Sequence, residues 1–373
     1  MLVVLTSACT SSSGASQEPD VVIAASLELT GSAAALGVAY ERALRLEVDR
    51  VNESGTLSNR HVRLIVSDNR TESATALTQV TRFAANPDVS AIITGACTEC
   101  AVAVSKTVED RGIPMITLAP AAQPSMEEKA TYVFKIGANS ADNAAALAAE
   151  LVRSKVERIA LLVADDAYGK DGRAVMRDAM DKADITVVTT SDFHPGDTDL
   201  TTSVRAVTQS RTDAVVVWAF PAQATLAASA LRQANYQGKL FFDASAAGDL
   251  FLTGDAAAAD GATMVFVPTL AIDDVIATTP AKAERRQWFE DYTSRYGVYQ
   301  GQSSFAADAV LLIVDAVAQA KSADRAAIRT KLEVMRTEGL SGPIRMTPSN
   351  HSGLMPQALT LLVAQSGRWR LLG

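Results

Sequence analysis

The sequence predicts an α/β protein of two lobes, each built on a doubly wound parallel sheet. From Val21 onward, short apolar runs alternate with amphipathic runs of helical period. The apolar runs are continuous, which is typical of parallel strands covered on both faces by crossover helices. This alternation restarts after residues 132–137, and 373 residues provide enough material for two cores.

The first lobe begins with the apolar run at 21–25 and its strands are separated by helical segments. Two of these segments stop at Gly55 and Gly112, and another stops before the Asn-Pro pair at 86–87, which are common helix-end signals. The predicted elements are strands at 21–25, 62–67, 89–94 and 114–117 and helices at 33–52, 74–84 and 101–112.

The second lobe repeats the pattern with longer helices. An Ala-rich run covers 142–155, and the strand R-I-A-L-L-V-A follows at 158–164. The further elements are helices at 169–183 and 200–209, strands at 185–190, 214–218 and 239–243, and a helix that ends near Gly238. Two successive α/β halves of this kind predict two sheets.

The last hundred residues contain too few elements for a third core. They hold apolar runs at 264–268 and 358–364 and helical runs at 307–320 and 325–332. We therefore expect the chain to return to both lobes and to form a three-strand hinge with a cleft. The predicted boundaries are 20–138 plus 269–345 for the N-terminal lobe, 139–268 plus 346–373 for the C-terminal lobe, and crossings near 137–139, 267–269 and 345–348.

Residues 1–19 resemble the end of a lipoprotein signal followed by a tether. A short apolar run leads to T-S-A-C, and a Ser/Gly-rich linker follows Cys9. This order predicts lipidation of Cys9 and an extracytoplasmic, lipid-anchored or periplasmic protein. Thr6 and the missing basic segment depart from the pattern, which suggests a start further upstream. The alternative is a frayed cytosolic terminus with a chance cysteine.

The composition restricts the kinds of partner. The net charge is -8 and charged residues make up 20% of the chain, so nucleic acid is not an electrostatically natural partner. The apolar run interrupted by Asp315 is too short to span a membrane, which predicts a soluble body. No phosphate-binding glycine loop or nucleophile elbow is present in the sequence, so we expect neither an enzyme nor a cofactor.

Seven segments in register give the chain a resemblance to a known family. They include S-L-E-L-T-G-S-A-A-A-L-G at 26–37, D-D-A-Y-G-K-D-G at 165–172 and G-L-S-G-P-I-R-M at 339–346. In these the chain resembles the leucine/isoleucine/valine-binding proteins, the type I periplasmic solute-binding components of ABC importers. The resemblance implies a monomer that closes its lobes on a small ligand and delivers it to a membrane permease.

The loop A-C-T-E-C lies between a strand and a helix, where free N–H groups favour a carboxylate. By resemblance, Thr98 hydrogen-bonds the ligand carboxylate beside Cys97, although it also suits a plain helix N-cap. Ala119 falls where the family presents a carbonyl, and Ala121 replaces a family hydroxyl. Leu36 replaces a larger aromatic residue and predicts a roomier pocket.

The second lobe provides the other predicted ligand contacts. By resemblance, Tyr168 closes over the ligand and Phe220 forms an aromatic wall. The family's acidic anchor for the ligand ammonium aligns with Ser245, so we expect Asp243 or Glu99 to replace it, or the ligand to lack the ammonium. The ligand expected is a branched-chain or aliphatic amino acid. An aromatic acid, an amide or a sensor role are the alternatives.

Cys97 and Cys100 form a C-x-x-C pair. In an oxidising compartment this spacing predicts a structural disulfide that braces the ligand loop. A thiol-disulfide enzyme that uses the same pair is a remote alternative. We expect no metal site, because the three histidines show no zinc-binding spacing: His61, His194 and His351.

Overall fold

The computed structural model describes residues 20–58, 60–121, 130–247, 256–297 and 300–372. The predicted lipidation site Cys9 and its tether lie outside these residues. The first part of the chain forms strands β1 to β5 and helices α1 to α3. Their bounds are β1 Val21–Leu27, α1 Ala34–Ser54, β2 Val62–Asp68, α2 Ser73–Ala85, β3 Val89–Thr94, α3 Thr98–Arg111, β4 Met115–Thr117 and β5 Val133–Lys135.

The first sheet is wholly parallel, with strand order β2-β1-β3-β4-β5. β1 and β3 are buried along their whole length, as their continuous apolar sequences require. Gly55 and Gly112 follow α1 and α3 in the left-handed conformation, with φ of 67° and 56°. The two glycine stops predicted from the sequence are therefore confirmed, because glycine adopts this conformation without a Cβ clash.

The second part of the chain builds the next sheet. Its elements are α4 Ser140–Arg153, β6 Arg158–Ala164, α5 Ala167–Ala183, β7 Thr186–Phe193, α6 Thr201–Thr208, β8 Ala214–Trp218, α7 Pro221–Gln233, β9 Lys239–Phe242 and β10 Thr263–Phe266. Strands β6 to β10 are parallel to their neighbours in this group. The central strand β8 is completely buried.

The elements of the remaining chain are α8 Pro280–Tyr296, α9 Ser303–Ala320, α10 Arg325–Leu332, β11 Arg336–Glu338, β12 Pro343–Arg345, β13 Thr360–Gln365 and β14 Arg368–Leu371. They add two strands to the second sheet, a separate two-stranded sheet of β11 and β12, and helices beside the first sheet. α9 packs against α1 and α10, beside the first sheet. β13 joins β10 in antiparallel orientation and β14 joins β13, which gives the order β14-β13-β10-β9-β8-β6-β7. The fold class predicted from the sequence is confirmed.

Two details differ from the sequence-based expectation. Helix α8 was not expected, because its buried residues Arg285, Trp288 and Tyr292 lie among many charged residues and leave a weak apolar pattern. The short 3-10 segment Pro268–Asp274 packs mainly against β14 of the second sheet and also contacts β13 and α8. The lobe boundaries themselves stay a prediction.

Helix α9 is the one helix of the described residues that is long and apolar enough to cross a membrane. The expectation that no run reaches this length was therefore too strict. In the structure, however, 72% of its 18-residue window is buried inside the protein, as in the core helix of a soluble domain. Length and composition alone are weak evidence for a membrane span here.

Lys135 lies at the point where the chain leaves the first sheet. Its side chain is fully buried, and Nζ donates to the carbonyls of Gly137 and Ala138 and to Oδ1 of Asn139, at 3.3, 3.5 and 2.7 Å. Its backbone N–H donates to the carbonyl of His351, which belongs to the returning chain. This lysine therefore ties two connecting segments together. Burial lowers the pKa of its ammonium to about 7.

We expect the Lys135→Met variant to reveal this titration. Between pH 7 and 10.5 the unfolded chain binds a proton at this lysine that the folded protein does not. The unfolding free energy of the wild type should therefore rise with pH relative to the variant, by at most about 1.4 kcal/mol per pH unit. Urea unfolding at three pH values measures the difference. A difference between the wild type and Lys135→Met that does not change with pH would contradict the prediction.

Candidate functional site

A small cavity lies between the two sheets, where strands of both end. Residues after β3, β4, β5, β8 and β9 line it, together with the first two turns of α1 and the start of α9. The volume of the cavity is about 20 Å³, which is room for about one water molecule. The lining residues are Leu36, Tyr40, Ala96, Leu118, Pro120, Gly137, Ala138, Phe220, Ala244, Ser245, Gln302 and Phe305.

On the second-lobe side, Asp243 organises a buried hydrogen-bond cluster. It follows β9 and caps the short 3-10 turn Ala244–Ala246. Its carboxyl accepts from the N–H of Ala219 at 3.0 Å, from the N–H of Ser245 at 2.7 Å and from the hydroxyl of Tyr168. Burial raises the pKa of Asp243 to about 7, against the lowering effect of these hydrogen bonds.

Tyr168 also anchors an aromatic cluster. Its ring stacks on Phe220, with centroids 5.2 Å apart, and packs at a tilt against Trp218 at 5.8 Å. Tyr168 lies in the first turn of α5 and is 1% exposed. Phe220 is the residue before α7, and it both stacks on Tyr168 and lines the cavity. Tyr168 therefore supports the cavity wall from behind in this conformation.

On the first-lobe side, a disulfide joins Cys97 and Cys100 at the start of α3. Cys97 is the N-cap residue and its Sγ accepts from the N–H of Cys100. Thr98 is 2% exposed, and its hydroxyl has no hydrogen-bond partner among the described residues. The disulfide fixes the loop, and the Thr98 hydroxyl remains available.

The same loop encloses a carboxyl group of the protein itself. Glu28 follows β1 and is fully buried. Its Oε2 accepts from the N–H of Ala96 at 2.9 Å, and its Oε1 accepts from the N–H of Cys97 at 3.3 Å and from Nδ2 of Asn69 at 3.1 Å. Burial raises the pKa of Glu28, while these three hydrogen bonds oppose the shift.

Two side chains bridge the lobes. Oε1 of Glu99, in the first turn of α3, accepts from the N–H of Ala167 at the start of α5 at 2.7 Å. Nε2 of Gln302, the residue before α9, donates to the carbonyls of Ala244 and Ser245 at 3.2 and 3.1 Å. Each lobe therefore hydrogen-bonds to the other in this structure.

The cavity includes some of the residues singled out from the sequence. Leu36, Phe220 and Ser245 line it. The others lie near its walls without lining it: Cys97, Thr98, Glu99, Ala119, Ala121, Tyr168 and Asp243. The roles given to all ten residues stay predictions.

Two residues of this region, Glu28 and Gln302, were not predicted from the sequence. Glu28 directly follows an apolar strand, at the edge where ligands of doubly wound sheets bind, and this position was the available signal. Gln302 precedes the apolar helix α9, and nothing in its local sequence indicates that it reaches the other lobe. A contact of this kind depends on chain return and is invisible to local patterns.

Among the described residues, one group of three could offer metal ligands: Glu28, Cys97 and Cys100. The disulfide leaves no thiolate to bind a metal. The Glu28 oxygens already accept hydrogen bonds from the backbone. The donor set therefore does not fit a metal ion.

Two α/β lobes with a cavity between their strand ends define the class of two-lobed ligand-binding proteins. Within this class, the chain belongs to the family described as periplasmic binding protein, whose match covers residues 20–368. Membership of this family implies an extracytoplasmic location.

Several known proteins are similar to this chain. The "Leu/Ile/Val-binding protein homolog 3" of Brucella melitensis is 22% identical over 219 residues, which cover 58% of this chain and 59% of that relative. An extracellular ligand-binding receptor from Rhodopseudomonas palustris HaA2 superposes with a TM-score of 0.86 at 20% identity, over 95% of this chain and all of the other.

A third similar protein was solved with its ligand. The branched-chain amino acid transporter substrate-binding protein LivJ from Streptococcus pneumoniae, in complex with isoleucine, gives a TM-score of 0.80 at 18% identity, over 95% of this chain and 99% of the other. At this identity the likeness shows the shared fold. All three similar proteins are named as binding proteins or ligand-binding receptors.

Proposed function

We propose that the protein is the extracytoplasmic solute-binding component of an ABC importer. It binds a small molecule between its lobes and delivers it to a membrane permease, as a non-catalytic monomer anchored through Cys9. The observation that carries the proposal is the cavity at the strand ends of both sheets, together with the lobe-bridging contacts of Glu99 and Gln302.

Closure explains how such a site works. A ligand that contacts both lobes stabilises the closed arrangement by its difference in affinity for the two states. Because the closed cavity holds only about one water molecule, a ligand of amino-acid size requires the lobes to stand further apart than they do here. The names of the relatives favour a branched-chain amino acid, whereas the uncharged lining of this cavity favours a neutral ligand.

A tryptophan in the cavity should block binding. Leu36 lines the cavity and is 3% exposed, so the larger ring of Leu36→Trp obstructs closure while the open form accommodates it. We expect at least a tenfold loss of affinity for any ligand found in a thermal-shift screen of amino acids, aromatic acids and amides. A ligand at a hundred times its dissociation constant should add about 2.7 kcal/mol to the unfolding free energy of the wild type.

The partly exposed Leu77→Trp, on α2, is the matched control and should bind normally. Ligand addition should change the radius of gyration from small-angle scattering in the wild type and in this control only. The binding proposal fails if no compound stabilises the protein, or if Leu36→Trp binds as well as the wild type. Neighbouring permease and ATPase genes favour import, and a histidine kinase gene favours the sensor alternative.

A further inference from the structure

The loop that precedes α3 forms an anion cradle, and the chain fills it with its own carboxyl group. The N–H groups of Ala96 and Cys97 both point at Glu28. A Cβ on Gly95 would lie 1.9 Å from Oε2 of Glu28, so the glycine at this position makes room for the carboxyl. The backbone and the missing side chain together build a site that fits a carboxylate.

This arrangement changes what the cleft can accept at the start of α3. A ligand carboxylate at this helix end would compete with Glu28 for the same N–H groups. At the neighbouring Thr98, it would lie beside a second carboxyl group. Two carboxyl groups that share one buried site cannot both be ionised without a large cost. Glu28 therefore disfavours an anionic ligand group at this end of the cavity.

The cavity lining also lacks compensating charges. None of the described residues that line it is charged, and its polar side chains are Tyr40, Ser245 and Gln302. A buried zwitterionic amino acid requires partners for both of its charges. In the second lobe, the carboxyl of Asp243 is already hydrogen-bonded to Tyr168 and to two backbone N–H groups.

Gln302 offers a specific partner for an uncharged ligand. Its Nε2 must be the nitrogen, because it faces two carbonyl oxygens that can only accept. Its Oε1 is buried and has no hydrogen-bond partner among the described residues. The hydroxyl of Thr98 is likewise unpartnered. A buried free acceptor on the cavity wall fits a ligand N–H donor.

We propose that the cleft binds an uncharged amide with an aliphatic body, and that Glu28 is the residue that excludes the corresponding carboxylate. This inference rests on the proposed function, because it requires that the cleft binds a small molecule. The apolar residues of the lining contact the aliphatic body, and Gln302 accepts a hydrogen bond from the amide N–H.

Calorimetry with isovaleramide, isovalerate and leucine tests the inference. We expect the wild type to bind isovaleramide at least tenfold more tightly than isovalerate or leucine. In Glu28→Gln, which removes the ionisable carboxyl group, this preference should fall at least tenfold. The exposed Glu53→Gln, in the last turn of α1, should retain the wild-type preference.

Anion rescue tests the cradle directly. In Glu28→Ala, acetate should raise the melting temperature, because it can occupy the vacated N–H groups, whereas the wild type should not respond. If Glu28→Ala does not fold, the affinities of the wild type and of the nearly isosteric Glu28→Gln for isovaleramide, isovalerate and leucine still test the inference.

Isovalerate or leucine bound as tightly as isovaleramide by the wild type, or no binding of isovaleramide, would overturn the inference. If leucine still closes the lobes in that case, the amide inference fails but the proposed function remains supported. An unchanged preference in Glu28→Gln would also overturn it.

Discussion

Replacement of Asp243 by alanine is expected to lower the free energy of unfolding by about 3–5 kcal/mol. The variant removes the Asp243 acceptor from three buried donors: the N–H groups of Ala219 and Ser245 and the hydroxyl of Tyr168. Each lost partner exposes the full desolvation cost of a buried polar group. The turn Ala244–Ala246, which lines the cavity, also loses its cap.

Chemical denaturation of wild type, Asp243→Ala and Asp165→Ala measures this effect. Asp165 lies in the same lobe and forms an exposed ion pair with Lys170, so its loss should cost less than about 1 kcal/mol. If Asp243→Ala stays within 1 kcal/mol of the wild type, the cluster does not hold this wall of the cavity.

The same residue gives a pH signature through Asp243→Asn, which does not titrate. Because the folded pKa of Asp243 is raised from 3.8 to about 7, the folded state binds more protons than the unfolded state between these values. The stability of the wild type relative to Asp243→Asn should therefore fall as the pH rises from about 4 to 7.

A second large effect is expected for Gly169→Ala, although glycine to alanine normally stabilises a helix by roughly 1 kcal/mol. A Cβ at this position would lie 1.8 Å from the carbonyl oxygen of Ala164, a backbone atom at the end of β6. The first turn of α5 must then move away from the strand and carry Tyr168 with it. We expect a loss of about 3 kcal/mol or more in stability.

The matched control is Gly196→Ala, whose nearest neighbour would be a His194 side-chain atom at 3.2 Å. Its effect should stay below about 1 kcal/mol, since the histidine side chain can shift. A Gly169→Ala variant as stable as the wild type would show that α5 does not need this close approach. Gly37 makes the same kind of close approach in the first lobe, where an added Cβ would lie 2.0 Å from the carbonyl oxygen of Glu28. In both lobes, therefore, a glycine lets the start of a helix pack closely against the backbone beside a strand end.

Local patterns were sufficient for the alternation of strands and helices, because buried parallel strands need continuous apolar runs. They were also sufficient for the ends of α1 and α3 at Gly55 and Gly112, because a left-handed residue there favours glycine. They failed for α8, where burial falls on Arg285, Trp288 and Tyr292. Because Arg285 is charged, the buried face of α8 does not show an apolar pattern in the sequence.

The site was predictable only as a region. A cavity lies at the loops after β3, β4, β8 and β9, the edge that the strand-end rule indicates, and Leu36, Phe220 and Ser245 line it. That these residues bind a ligand stays a prediction. The expected carboxylate-binding N–H groups exist, but Glu28 occupies two of them. No local pattern indicates this, since Glu28 and Ala96 are 68 residues apart.

The sequence by itself therefore determined the α/β class, the two successive sheets and the strand ends at which the cavity lies, because these follow from hydrophobic period and chain direction. Only the tertiary structure decided which polar groups meet there. Tyr168 and Asp243 are 75 residues apart, and Gln302 reaches the other lobe only after the chain has returned. Buried polar groups choose partners by proximity in space, and that proximity is set by how the sheets and their connections pack.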